Sequence, residues 1–263
     1  MNRSQRMSAI LELLGEAGRL SIEDLVDRLG ISPATARRDL DALAAQQLLT
    51  RTRGGATQHA VAYDLPLRYK QGQRAPEKER IAQAASALVP VGAVVGLSGG
   101  TTTTAIAETL TARPDLTGDP NGTDVTLTVV TNAINIASLL VVRPQIKTVV
   151  TGGVVHARSY ELVGGYSEIV LARISLDLAF IGVNGLDPQI GATVHDEGEA
   201  AINALLARRA ARSVIVTDSS KLGRRAFASL AEAEGLRTLI TDDGITDQQH
   251  REFVDAGYDV IVA

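Results

Sequence analysis

The 263-residue sequence contains no cysteine and no tryptophan, and only 3% of its residues are aromatic. Without cysteine there can be no disulfides and no thiolate metal sites, and a cytoplasmic protein is the expectation. The four histidines are scattered and form no zinc-binding pattern, so no metal and no cofactor is expected. So few rings argue against binding single-stranded nucleic acid by base stacking. Long apolar runs are missing as well. The N-terminal stretch MNRSQRMSAILELLGEAG is interrupted by Glu12 and is followed by no small-residue cleavage site, so neither secretion nor a membrane span is expected. Nor is there a positive excess: 26 basic against 30 acidic residues leave a formal charge of -4, and any contact with DNA must be local. What is abundant is apolar surface, 45% of residues, which excludes disorder and suffices for one large or two modest cores.

The first sixty residues read as three short helices and a small hairpin. Met7, Ile10, Leu11 and Leu14 share one helical face, and Gly15 and Gly18 are expected to stop that helix. Ser21 caps a second helix, with Asp24 placed to return a bond and Ile22, Leu25, Val26 and Leu29 as its inner stripe. Gly30 ends it. Ser32 caps a third helix with Pro33 at its first position, where a missing N–H costs nothing, and Ala36, Leu40 and Leu43 face inward. Two helices joined by a short Gly-containing turn are the helix-turn-helix plan. In RTRGGATQ the Gly54-Gly55 pair sits between β-compatible segments and reads as the wing of a winged helix. The expected organisation is an all-α winged helix-turn-helix over residues 1–58 and a linker over 59–75.

From Pro76 to residue 263 apolar strands alternate with helical segments. AVVGL, VTLTVV, IKTVV, LAFIGV, SVIVT, RTLIT and YDVIV are the strands, and EKERIAQAASALV, TTTAIAETL, AINIASLLVV and GEAAINALLARRA are helices. The strands are apolar runs rather than alternations, as expected where helices cover both faces of a mainly parallel sheet. Residues 114–124 are expected to be a surface loop.

On the third helix the inward stripe leaves Ala34, Thr35, Arg37 and Arg38 on the outer faces near its start, where a recognition helix meets the major groove. Arginine holds guanine or phosphate, and Thr35 suits a thymine methyl or a phosphate oxygen. Arg51 and Arg53 in the wing reach flanking backbone or minor groove. Residues 1–60 hold eight arginines against seven acids, which alone describes a solvated surface; after residue 27, however, five arginines face only Asp39 and Asp41. That asymmetry favours DNA.

In the second half, strand AVVGL runs into SGGTTTT, residues 98–104, where a helix begins. Such a turn offers backbone N–H groups and the positive end of the helix dipole to an anion, with hydroxyls of Thr101, Thr102 and Thr103 beside it. An ordinary strand-to-helix turn has the same composition. Other strand ends carry Thr131-Asn132, Thr151-Gly152-Gly153, Asn184-Gly185 and Lys221, a gathering suited to a ligand crevice. The HDEGE segment offers His195, Asp196, Glu197 and Glu199 as proton-transfer groups, or else is a solvated acidic helix start, the preferred reading.

SIEDLVDRLGISPATARRDLDALAAQQLLTRTRGGA resembles the N-terminal signature of the DeoR family of bacterial regulators. The motifs SGGTTT, VTN, TGG, AFIGVNG, GEAAI and DSSKLG resemble successive motifs of that family's sensor domain, whose fold is similar to sugar-phosphate isomerases. The resemblance implies that Ser32, Thr35, Arg37 and Arg38 contact double-stranded operator DNA with Arg51 and Arg53 in the wing. It implies too that Ser98, Gly99, Gly100, Thr101, Thr102, Thr103, Thr131, Asn132, Gly152, Gly153, Asn184 and Lys221 surround a phosphorylated sugar effector. Three positions depart from the family pattern: Thr52-Arg53 where a His often precedes the glycines, Ser98 where Asp is frequent, and Asn203 where a basic residue is common. The function implied is a repressor of a carbohydrate operon acting as a homo-oligomer, dimer or tetramer. The alternative is a sugar-phosphate isomerase or deaminase with an accessory N-terminal domain.

Overall fold

A computed structural model describes residues 1–57, 65–70, 72–117, 124–230 and 235–263. They form two compact units, Met1–Gln73 and Arg74–Ala263. Among the described residues no helix is long and apolar enough to cross a membrane.

The first unit runs α1 (Arg3–Ala17), β1 (Arg19–Ser21), α2 (Ile22–Leu29), α3 (Pro33–Ala45), β2 (Thr50–Thr52), β3 (Gly55–Thr57) and α4 (Leu67–Lys70). The expected apolar stripes meet in one core: Met7, Ile10, Leu11 and Leu14 of α1, Leu25 of α2, and Ala36, Leu40 and Leu43 of α3 are all buried. Gly15 does not stop α1, which continues to Ala17 and closes on Gly18 in the left-handed conformation. The sequence reading also missed β1, so the unit is not all-α: β1, β3 and β2 form a three-stranded antiparallel sheet in that order. Gly55 belongs to β3 rather than to the turn, which is Arg53-Gly54. A Cβ at Gly55 would lie 1.9 Å from the Leu20 carbonyl oxygen, so the glycine is what lets β1 close on the wing. Within the expected linker, α4 is helical, and Leu65 and Tyr69 join the core of the first unit; residues 58–64 and 71 lie outside the described ones.

The second unit runs α5 (Ala75–Ala87), β4 (Val94–Leu97), α6 (Thr101–Ala112), α7 (Pro114–Thr117), β5 (Leu127–Thr131), α8 (Ile134–Leu140), β6 (Ile146–Val150), β7 (Val154–His156), β8 (Glu161–Val163), α9 (Gly165–Leu171), β9 (Leu176–Gly182), β10 (Gly185–Asp187), β11 (Gly191–Val194), α10 (Glu197–Arg208), β12 (Ala210–Val216), β13 (Ala228–Ser229), β14 (Thr238–Thr241), α11 (Asp247–Asp255) and β15 (Asp259–Val262). The seven apolar runs read from the sequence are the strands of one parallel sheet, ordered β15-β14-β12-β9-β4-β5-β6. Helices cover both faces over two apolar clusters, one including Ile81, Ile106 and Phe180 and the other Ile202, Ile215 and Phe253. Two small antiparallel additions, β7-β8 and β10-β11-β13, were not anticipated. The expected loop at 114–124 begins as α7 with Leu116 buried, and residues 118–123 lie outside the described ones.

The strand order reverses at β4. From β4 the chain moves outward through β5 to β6, then returns to β9 on the other side of β4 and continues outward through β12, β14 and β15. In open α/β sheets the crevice outside the carboxyl ends of strands at such a reversal is where ligands bind.

Candidate functional site

Helix α3 is built to present its outer face. Ser32 accepts the Thr35 backbone N–H at 3.2 Å and its hydroxyl meets the Thr35 hydroxyl at 2.9 Å, so the helix start is satisfied from within. Asp39, buried on the inner side, pairs with Arg6 and fixes α3 to α1; this bond raises the Arg6 pKa, against the opposing pull of burial. The capping box at Ser21 and Asp24 forms as expected, and the Ser21 backbone N–H and hydroxyl hold the Asp24 carboxyl below its ordinary range. With the inner face fixed, Arg37 and Arg38 are exposed and bond to none of the described residues. Arg53 at the wing tip is exposed too. Arg51 differs: its Nε donates to Asp41 at 2.8 Å and its Nη1 to the Gly55 carbonyl, so it braces the wing against α3.

The Gly99-Gly100 turn follows β4 at the reversal. Gly100, with φ of 125° and no side chain, sits at the N-cap position of α6, and no side chain caps that helix. The first helical N–H paired with a carbonyl behind it is that of Thr104, bonded to Gly100. The hydroxyls divide: those of Thr103 and Thr104 donate to the Gly100 carbonyl, whereas those of Thr101 and Thr102 bond to none of the described residues. Ser98 is fully buried and its hydroxyl accepts the Gly182 N–H at 2.9 Å, joining the ends of β4 and β9. Thr131 likewise donates to the Leu97 carbonyl at 2.7 Å and accepts from Ala133, joining β4 to β5. Both hydroxyls therefore tie together the carboxyl ends of adjacent strands.

Asn132 is buried, and its Nδ2 donates to Glu161 Oε2 at 2.9 Å. Glu161 lies against the turn: a Cβ at Gly99 would fall 2.2 Å from its Cγ. Across the β7-β8 ladder Glu161 faces His156, whose Nδ1 lies 2.6 Å from Glu199 Oε1. This carboxylate is a correction to the sequence reading. Asp196 does cap α10 by accepting the Glu199 N–H at 3.0 Å, but Glu199 itself is buried against β7 rather than solvated. Glu161 and His156 were missed altogether; the one signal is an isolated acid ahead of the apolar pair Leu162-Val163 in a Gly-flanked segment.

Not every expected effector residue joins this cluster. Gly152 and Gly153 form the bend after β6, where Ser167 donates to the Gly152 carbonyl. Asn184 accepts the His195 N–H at 3.1 Å at the end of β9. Lys221 closes a 3-10 turn, Ser219–Lys221, after β12, two strands from β4.

Comparisons with known proteins agree across the chain. A DeoR-like helix-turn-helix domain model matches residues 6–60 and a DeoR C terminal sensor domain model residues 73–243. The HTH-type transcriptional regulator GlpR of Haloferax volcanii is 34% identical over 259 residues, 98% of this chain and 97% of its own. The glycerol-3-phosphate regulon repressor of Escherichia coli is 28% identical, covering 92% of each. Among solved structures, a ribose 5-phosphate isomerase from Methanocaldococcus jannaschii aligns over 55% of this chain and 53% of its own at 20% identity, with a TM-score of 0.40.

Proposed function

This chain belongs to the DeoR family of transcriptional regulators, and from that premise we propose that it represses a carbohydrate-utilisation operon and that a phosphorylated sugar or related metabolite modulates its hold on operator DNA. The observation that supports the DNA half is the pair Arg37 and Arg38, exposed and unbonded on a helix whose inner face is fixed by Asp39 and Leu40. Arg53 extends the contact from the wing, Arg51 holds the wing in place, and Ser32 and Thr35 present hydroxyls to the phosphate backbone at the helix start. The assignment of residues 1–58 as reading head, 59–75 as link and 76–263 as sensor is part of the same reading.

The effector half is supported by the uncapped start of α6. Its free backbone donors, with the open hydroxyls of Thr101 and Thr102, form an anion cradle at the sheet's reversal. Glu161 lies beside Gly99, Asn132 bonds to it and the His156-Glu199 pair begins across the β7-β8 ladder from it; these are acceptors suited to sugar hydroxyls. A phosphate at the helix start with hydroxyls toward Glu161 satisfies both ends. Gly152, Gly153, Asn184 and Lys221 occupy the surrounding strand ends, and the names of the relatives, one a glycerol-3-phosphate regulon repressor, make small phosphate esters the first to try.

Operators with paired half-sites require at least two copies, so a homo-oligomer, dimer or tetramer, is part of the proposal. One experiment tests it: fluorescence anisotropy of the full chain on DNA from upstream of its own operon, alone and with glycerol 3-phosphate, ribose 5-phosphate and glucosamine 6-phosphate. A coupling of about 1–3 kcal/mol corresponds to a roughly 5–150-fold change in affinity with at least one compound. Binding no tighter than to unrelated DNA defeats the first half, and specific binding indifferent to every phosphate ester defeats the second.

A further inference from the structure

His156, Asp196 and Glu199 come from two elements that meet beside the crevice, the end of β7 and the start of α10. One ligand atom from each can be chosen so that all three lie within 4.8 Å of one another. Glu199 is only 5% exposed, and among the described residues neither it nor Asp196 forms an ion pair with lysine or arginine. The half-buried His156 imidazole is the side chain that meets Glu199, and Asp196 lies within reach of the same ring. A buried carboxylate is stable only where a cation or several donors replace its water, and Glu199 has a single side-chain partner.

A second observation lies one turn along α10. Asn203, 1% exposed, shares the helical face of Glu199, and its Oδ1 has no hydrogen-bond partner. This places a buried acceptor without a donor one helical turn beyond Glu199 on α10. A buried amide oxygen without a donor, one turn from a buried carboxylate that pairs with no lysine or arginine, leaves this stretch of α10 with more acceptors than donors.

We propose that His156, Asp196 and Glu199 bind a divalent transition-metal ion. One imidazole nitrogen with two carboxylate oxygens is a donor set that the borderline Zn²⁺ and the harder Mn²⁺ can both use, and three protein ligands leave further coordination positions open. Asp196 ligates without giving up its cap, because Oδ1 accepts the Glu199 N–H and the second oxygen is left for the ion. His156 exchanges its bond to Glu199 for the ion, and the Ser159 hydroxyl, 3.2 Å from the same nitrogen, is displaced or the ring ligates through Nε2. The inference shares His156 and Glu199 with the proposed sugar-hydroxyl acceptors and to that extent rests on the same site, but its test contains no phosphate ester, so ion uptake and effector response are read separately.

The test is isothermal titration of the metal-stripped full chain with ZnCl₂ and, separately, MnCl₂. Saturable uptake of one ion per chain is expected, with Asp196→Asn and Glu199→Gln each weakening it at least tenfold and His250→Gln, on α11, leaving it unchanged. Asparagine caps a helix as well as aspartate, so Asp196→Asn removes the ligand charge while keeping the start of α10, which circular dichroism verifies. The absence of saturable uptake of either ion overturns the proposal. So does uptake that survives both substitutions, or uptake that falls equally in His250→Gln.

Discussion

Helices α3 and α6 begin in opposite ways, and the two starts suit different anions. At α3 the Ser32 side chain takes up the Thr35 backbone donor, and the proposed recognition falls to side chains on the outer face, chiefly Arg37 and Arg38. At α6 Gly100 contributes no cap, and the backbone donors stay available for the proposed effector. A long polymer is met by projecting, positively charged groups that tolerate register; a small ester is met by fixed donors in a recess. On the proposed reading, a chain with a net charge of -4 addresses two anions without a basic surface.

The contrast breaks first if its charged half is dispensable. Arg37→Ala combined with Arg38→Ala is expected to weaken operator binding roughly a hundredfold or more, at about 1–3 kcal/mol for each specific contact, and to flatten the salt dependence. Anisotropy titrations at two salt concentrations measure both, and the double variant should still respond to effector in a thermal-shift assay. An unaltered affinity removes α3 from the interface.

The backbone half is tested at Gly99. A side chain there collides with Glu161, so Gly99→Ala is expected to abolish the stabilisation of about 2.7 kcal/mol that an effector gives at a hundred times its dissociation constant. Operator binding without effector should persist. Thr102→Val, which removes one open hydroxyl, sharpens the comparison by reducing the shift without eliminating it.

A smaller effect separates the two helix starts directly. Ser32→Ala should cost about 1 kcal/mol of stability, measured as a lower urea midpoint, and Ser32→Asp should restore it. No equivalent loss is possible at Gly100, where there is no cap to remove.

At neutral pH the smallest effect comes from acids of the second unit. Burial pushes the Asp242 carboxyl up, but the backbone N–H and hydroxyl of Ser219 and the N–H of Gly244 together outweigh it and set its pKa below the ordinary value. The hydrogen bond from Arg225 does the same for Asp187, against burial. A carboxyl whose folded pKa is depressed contributes stability above its unfolded pKa, about 3.9, and that contribution is lost as the pH falls through the folded value. Urea midpoints should therefore fall from about pH 4 downward, and Asp242→Asn should shallow that decline.

How much of this was legible in the sequence follows the same division. The α3 face could be read because its determinants lie within a dozen residues: Ser32, Pro33, the inward Ala36, Leu40 and Leu43, and the arginines between them. The seven parallel strands were legible because burial on both faces makes each an unbroken apolar run. Strands β1, β7 and β8 were not, since three residues are too few to show a period. Glu161 and His156 were invisible for another reason. They reach the crevice through a hairpin that no local pattern announces, and their partners Asn132 and Glu199 are 29 and 43 residues away. Arg51 was recognised as basic, but its attachment to Asp41 and Gly55 depends on the wing's register, which moved Gly55 out of the turn.

The short helix α4 has one more consequence. Its Tyr69 hydroxyl and Arg68 guanidinium both donate to the side chain of Gln46, the residue that closes α3. The strand of polypeptide leaving the first unit is thereby moored to the far end of the helix that bears Arg37 and Arg38. One glutamine side chain thus anchors both the C-terminal end of α3 and the helix that follows the wing, so replacing Gln46 would free the two together.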